Sequence, residues 1–194
     1  MDFNWYIISS KCINKNRITM NLPKTYRWLQ QESAPRHLLK AIELFGTTEL
    51  AGSINNPVIM GWAKETGLEK IYTADSIPWC GLYMAVVMHR AQRPVVDSPL
   101  WALNWNKFGV RVNTAMLGDI LTFTRKSGGH VGIYVGEDAT AYHVLGGNQG
   151  DKVSIVRIAK SRLSQIRRPA YISQPTNIRS VKLAASGSLS TNEA

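Results

Sequence analysis

The chain has 194 residues, with 23 Lys and Arg against 13 Asp and Glu for a formal net charge of +10, and it holds only two cysteines, Cys12 and Cys80. That length suits one well-buried domain with short extensions and is too small for two full domains. Two cysteines exclude a disulfide scaffold, and no apolar run reaches the roughly 18 residues needed to cross a bilayer. Asp2 stands where a secretion signal would carry basic residues, and the apolar stretch after it is short, so no signal peptide is expected. A role outside the cytoplasm would need another route of delivery.

Residues 1–21 show no clear period and form an expected N-terminal extension, with the domain proper spanning 22–173. From Trp28 the pattern is helical: Ser33 can cap, Pro35 fits a first turn, Leu38, Leu39, Ile42 and Phe45 share a face, and Gly46 can terminate. Asn55-Asn56-Pro57 is a second cap with a first-turn proline, followed by Val58, Ile59, Trp62 and Ala63 on one face and Gly67 as a stop. Ile77-Pro78-Trp79-Cys80-Gly81 opens a third helix, with Pro78 expected in its first turn, and the run Leu82-Tyr83-Met84-Ala85-Val86-Val87-Met88 predicts that the helix is buried. Pro94 and Pro99 break it. Trp101, Trp105 and Phe108 are expected to pack in the core rather than to stack on sugar rings.

The second half changes period. Residues 119–123, 131–135, 141–145 and 153–158 are short, β-branched and separated by Gly, Asp and Asn, which predicts an antiparallel meander. Helices first and strands second give an α+β domain with N-terminal helices packed on one antiparallel β-sheet. Residues 174–194 are small and polar and read as a flexible or docking tail.

The chemistry begins at Cys80, because a thiol at a helix start lies among free N–H groups at the positive end of the dipole, an arrangement that favours the nucleophilic thiolate. Its base is expected to be His130, in Gly128-Gly129-His130-Val131-Gly132-Ile133-Tyr134-Val135-Gly136. Alternation puts Val131, Ile133 and Val135 toward the core and His130, Gly132 and Tyr134 on the other face, with Gly132 keeping that surface low. A third residue must accept from the other ring nitrogen. His143 and Asn148 are the candidates, and their odd separation puts them on opposite faces of a regular strand. Asn148 is preferred, since an amide oxygen is a plain acceptor and Gly146, Gly147 and Gly150 shape the backbone around it. Cys80, His130 and His143 match no zinc-site spacing, and no metal is expected.

IPWC at a helix head, GHVGIYVG on a strand and LGGNQGD closing the next one together resemble the CHAP and NlpC-type cysteine peptidoglycan hydrolases of bacteria and phages, over most of residues 22–172. The resemblance implies a papain-like α+β fold and a cofactor-independent amidase or endopeptidase. Cys80 would attack an amide of the cell-wall peptide, His130 would be the base, and Asn148 (CHAP-like) or His143 (NlpC-like) would hold the imidazole. Asp75, Trp79, Tyr134 and Gln149 are the candidates for substrate contact. A phage lysin best fits the missing signal; a secreted antibacterial effector hydrolase and a noncatalytic virion or assembly component using the tail for docking are the alternatives.

The positive charge suits an anionic wall polymer as well as nucleic acid. The basic residues thicken at Lys152, Arg157, Lys160, Arg162, Arg167, Arg168, Arg179 and Lys182, but no nucleic-acid fold signature accompanies them. Peptidoglycan is the expected partner, with a virion or secretion partner at the tail, and no nucleic acid.

Overall fold

The computed structural model describes residues 21–193 apart from 53, 127, 172, 176 and 186. The N-terminal extension up to residue 20, with Cys12, lies outside the described residues. Among the described residues, three α-helices come first, α1 (Arg36–Ile42), α2 (Pro57–Glu65) and α3 (Cys80–Arg90), followed by six strands: β1 (Val110–Val112), β2 (Ile120–Arg125), β3 (Gly128–Glu137), β4 (Ala141–Gly146), β5 (Ser154–Ala159) and β6 (Leu163–Arg168). Short 3-10 helices occupy Lys24–Gln30, Ala102–Lys107 and Lys160–Arg162. All strand pairs are antiparallel, in the order β1-β6-β2-β3-β4-β5. The architecture is α+β, with helices packed on one antiparallel sheet.

Local chemistry explains the helix ends. The Asn56 side chain accepts from the Val58 N–H at 2.7 Å, Pro57 takes the first helical position, and Gly67 leaves α2 with φ 70°. Helix α3 begins at Cys80 itself, so Pro78 lies before the helix rather than in its first turn, and Trp79 is its N-cap with no side-chain hydrogen bond. Every residue from Cys80 to Met88 is buried, as expected of a helix that is apolar all round. It is the central element of the core: Trp79 and Tyr83 lie against Trp62 of α2 at ring distances of 5.9 and 6.3 Å, and the Tyr83 hydroxyl donates to Ala41 O of α1 at 3.0 Å. Ser33 supplies no cap to α1, whose N-cap is Pro35.

Two hydrophobic clusters flank the sheet. Val131, Ile133 and Val135 of β3 face the helices, whereas Tyr134 joins Leu121, Phe123, Val144, Ile158 and Ile166 on the opposite side. The alternation anticipated for β3 is therefore present, but the second face is a covered core, with His130 and Tyr134 both fully buried. Strands β1 and β6 escaped the sequence reading, because Val-Arg-Val and Leu-Ser-Gln-Ile-Arg-Arg carry too much charge to display alternation. They pair with each other at the sheet edge, where arginines are tolerated. The tryptophans divide: Trp105 is buried and donates to Pro99 O at 2.9 Å, while Trp101 is 74% exposed.

The segment beyond Gln174 packs back on the domain instead of standing free. Leu117 N donates to Arg179 O, Glu137 N to Val181 O and Leu183 N to Glu137 O, while Ile178 is buried. Among the described residues, no helix is long and apolar enough to cross a membrane.

His37 supplies a test of this core. It is fully buried in α1, its Nε2–H donating to Gly118 O at 2.7 Å, and burial pushes its pKa down to about 4. The unfolded chain takes up a proton near the ordinary 6.5, so stability is intact above that pH and falls as pH drops toward 4, by about 2 kcal/mol at pH 5 from this group alone. Urea midpoints are expected to fall between about pH 7.5 and pH 5, and His37→Asn should reduce that difference; equal midpoints in the native protein would contradict the assignment.

Candidate active site

The register of β3 prepares the site. Residues 128–133 pair with β2, but pairing with β4 begins only at Ile133↔Leu145, because β4 ends at Gly146. The first half of β3 thus has one strand neighbour, and the start of α3 and the Gly146-Gly147-Asn148-Gln149 loop take the place of the other. Both glycines are required by close approach. A Cβ at Gly146 would lie 2.8 Å from Gln149 Oε1 and 3.2 Å from His130 Nε2; one at Gly147 would lie 2.6 Å from Tyr83 Cβ and 2.8 Å from the Trp79 ring. The loop is wedged between the histidine and the head of α3.

Cys80 is 3% exposed. The backbone N–H groups of Val131, Gly81 and Cys80 itself face its sulfur, and Arg125 lends positive charge from the end of β2. Burial nevertheless outweighs these groups and raises the thiol pKa. The expectation that the helix start alone would yield a thiolate is corrected: in this closed arrangement the thiol form is favoured. His130 is fully buried opposite Phe123, its pKa pushed down to about 4 chiefly by burial. Both groups are therefore neutral, and no hydrogen bond joins the Cys80 thiol to the His130 ring, whose Nδ1 is without a partner.

Gln149, not Asn148, holds the imidazole. His130 Nε2 and Gln149 Oε1 are 3.1 Å apart, while the Gln149 amide nitrogen donates to Val144 O at 3.2 Å and Ser154 O at 2.6 Å. Two carbonyl acceptors fix which end of the amide is nitrogen, so its oxygen must face the ring and Nε2 must carry the proton. His130 Nδ1 is then the basic nitrogen, and it is buried without a hydrogen-bond partner. Asn148 takes the left-handed conformation at φ 57° that turns the chain from β4 toward Gln149. Its own amide oxygen is buried without a partner, and it makes no bond to His130. The sequence signal for Gln149 was its place after the αL-prone Gly-Gly-Asn, but the turn that decides between the two amides is a tertiary feature.

His143 belongs to a different network. Its Nδ1 accepts from the Tyr26 hydroxyl at 2.7 Å and its Nε2–H donates to Asp138 at 2.9 Å, Asp138 in turn accepting from Arg157 Nε at 2.7 Å. Burial lowers the His143 pKa, so the ring is neutral between a hydroxyl and a carboxylate. It is a structural tie between the N-terminal segment and β4, and it does not reach His130. Asp75 is likewise structural, accepting from the Asn56 N–H at 2.7 Å and holding the loop before α2. Trp79 is buried with its indole N–H on Glu49 at 3.0 Å, and Tyr134 is buried with its hydroxyl on Val181 O at 3.3 Å. Neither presents a surface to a substrate, because the helix head and the second cluster cover them. Gln149, expected to touch substrate, touches the His130 ring instead.

Arg125 was missed in the sequence, where it is one cation among many. Among the described residues, no group of three or more His, Cys, Asp or Glu side chains could hold a metal ion.

Two measurements check this geometry. Nitrogen-15 shifts of His130 at neutral pH are expected to report the Nε2–H tautomer, and Gln149→Leu should abolish that preference; an Nδ1–H ring in the native protein would refute the assignment. Asp138→Ala should cost about 3 kcal/mol of unfolding free energy, since it leaves the buried Arg157 and His143 unpaired, with the His130 tautomer unchanged. Comparison of the chain with protein-family models, with curated proteins and with solved structures gives no match.

Proposed function

We propose that this protein is a cofactor-independent cysteine hydrolase with a papain-like arrangement that cleaves an amide of bacterial cell-wall peptide as an amidase or endopeptidase. One observation carries the reading: a thiol at a helix start lies beside the strand that presents a histidine whose protonated nitrogen is fixed by Gln149, leaving Nδ1 free to take a proton. That is the division of labour of nucleophile, base and orienting group.

In this reading His130 Nδ1 removes the Cys80 proton as the sulfur adds to the scissile carbonyl. The oxyanion is met by backbone N–H groups at the head of α3, and Arg125 adds positive charge near the sulfur. The imidazolium then returns its proton to the departing amine, leaving a thioester. Water, deprotonated by His130, hydrolyses the thioester and restores the thiol. Gln149 keeps the ring in the productive tautomer throughout, and Asn148, with its unpartnered buried oxygen, is the residue placed to meet a donor on an incoming peptide.

The basic residues near the C-terminal end contribute less to wall adhesion than their number suggests. Six of the eight that cluster in the sequence, Arg157, Lys160, Arg162, Arg168, Arg179 and Lys182, form ion pairs with Asp138, Glu137, Glu193, Asp119, Glu32 and again Glu137. A phage lysin is the setting that the catalytic reading favours. The burial of Cys80, His130 and Gln149 at 3% exposure or less supports a second reading, a noncatalytic virion or assembly component that retains the arrangement.

Digestion of purified peptidoglycan followed by mass spectrometry separates the two. The hydrolase should release fragments with new amine ends, Cys80→Ala should release none, and Gln149→Ala should lower the rate by about 10- to 100-fold. A folded wild-type protein that releases nothing from several wall chemotypes would leave the noncatalytic reading standing.

A further inference from the structure

The segment between Gly187 and Glu193 is attached to the domain in an unusual way. Leu189, its one large apolar residue, is 43% exposed, and of its described residues only Glu193 is buried, at 1% exposure. A polypeptide that docks by hydrophobic contact would bury the leucine and expose the glutamate. Here the attachment is polar. Ser190 N donates to Arg157 O at 2.8 Å, Gly150 N to Asn192 O at 3.0 Å, and Arg157 Nη1 to Gly187 O at 2.6 Å.

The two residues that receive Glu193 also adjoin the candidate catalytic centre. Arg162 grips its carboxylate with both terminal nitrogens, Nη1 to Oε1 at 3.1 Å and Nη2 to Oε2 at 2.6 Å, and Arg125 Nη1 donates to its backbone carbonyl at 2.9 Å. Arg125 and Arg162 both act electrostatically on the His130 ring, as does the Glu193 carboxylate, and Arg125 acts on the Cys80 sulfur as well. Gly150, which holds Asn192, directly follows Gln149. The segment is therefore hydrogen-bonded to the residue next to Gln149 and held by two arginines that act on His130, and its one buried group is an anion.

We propose that Arg125 and Arg162 form a carboxylate-binding subsite beside Cys80 and His130, and that Glu193 fills it as a tethered occupant that keeps the centre closed until a peptide bearing a free carboxylate displaces it. The proposal rests on the hydrolase reading only in taking the incoming ligand to be a substrate. The energetics suit a displaceable latch. A desolvated ion pair gains little net free energy, since the attraction of the charges is largely offset by their lost hydration, and no apolar burial reinforces it. An incoming carboxylate exchanges for the resident one without leaving either partly buried arginine uncompensated.

The test is the rate at which iodoacetamide alkylates Cys80 in the full chain, resolved by mass spectrometry with Cys12 as the internal reference. Glu193→Gln should raise the Cys80 rate by about tenfold, the loss of roughly 1.4 kcal/mol of closure, with circular dichroism unchanged. The peptide acetyl-Ser-Leu-Ser-Thr-Asn-Glu-Ala-amide should restore protection to that variant, and its glutamine counterpart should not. Adding Arg162→Gln should abolish the restored protection. An unchanged Cys80 rate in folded Glu193→Gln overturns the latch, and equal protection by the acidic and glutamine peptides overturns the carboxylate subsite. These readouts do not require wall cleavage. The predicted alkylation pattern without released fragments would remove the hydrolase reading and keep the subsite, whereas cleavage with an unchanged alkylation rate would do the reverse.

Discussion

The junction between the head of α3 and the half-paired start of β3 is the constraint on which the site depends. Because β4 ends at Gly146, the edge of β3 near His130 is left for a helix terminus and a glycine loop to cover. Strand pairing would satisfy the Val131 N–H with a carbonyl; here that group faces the Cys80 sulfur. The wedge formed by Gly146 and Gly147 then sets Gln149 against the ring, and neither position can take a Cβ without collision. One early strand ending thus determines the setting of Cys80, His130 and Gln149 together.

Burial sets the electrostatics of this junction. Desolvation prevails over the helix start at Cys80 and over the neighbouring carboxylate at His130, leaving a neutral thiol and a neutral imidazole. Solvent entry would weaken the desolvation cost while the N–H groups and Arg125 remain in place, so exposure of Cys80 would favour its thiolate. Glu193 adds a negative charge that partly offsets Arg162 and Arg125 beside His130. The buried Tyr26–His143–Asp138–Arg157 network lies apart from this balance and serves to tie the first 3-10 helix to β4 and β5.

Legibility in the sequence followed the range of the interaction. The Asn56 cap and Pro57 were readable because a cap acts within one turn. The buried α3 and the inward face of β3 were readable because periodicity reports burial directly. Strands β1 and β6 were not, since β1 lies at the edge and β6, though paired with both β1 and β2, leaves Arg167 and Arg168 only partly buried. His143 lies on β4, but the chain after Gly146 is no longer a strand, so alternation assigns Asn148 no face. The left-handed turn at Asn148 ended that alternation and passed the orienting role to the next residue. The thiolate expected from helix position failed for a related reason, since a local rule about dipoles does not include the burial supplied by the rest of the fold.

What the sequence determined by itself was the helix-then-strand order, the burial of α3 and the inward face of β3, because these rest on local spacing and side-chain periodicity. Tertiary structure alone decided that Gln149 rather than Asn148 meets the imidazole, that His143 is structural, and that a polar tail returns to set Glu193 between Arg125 and Arg162. Each of those outcomes depends on groups far apart in the chain being desolvated together, and no residue's own sequence neighbourhood carries that information.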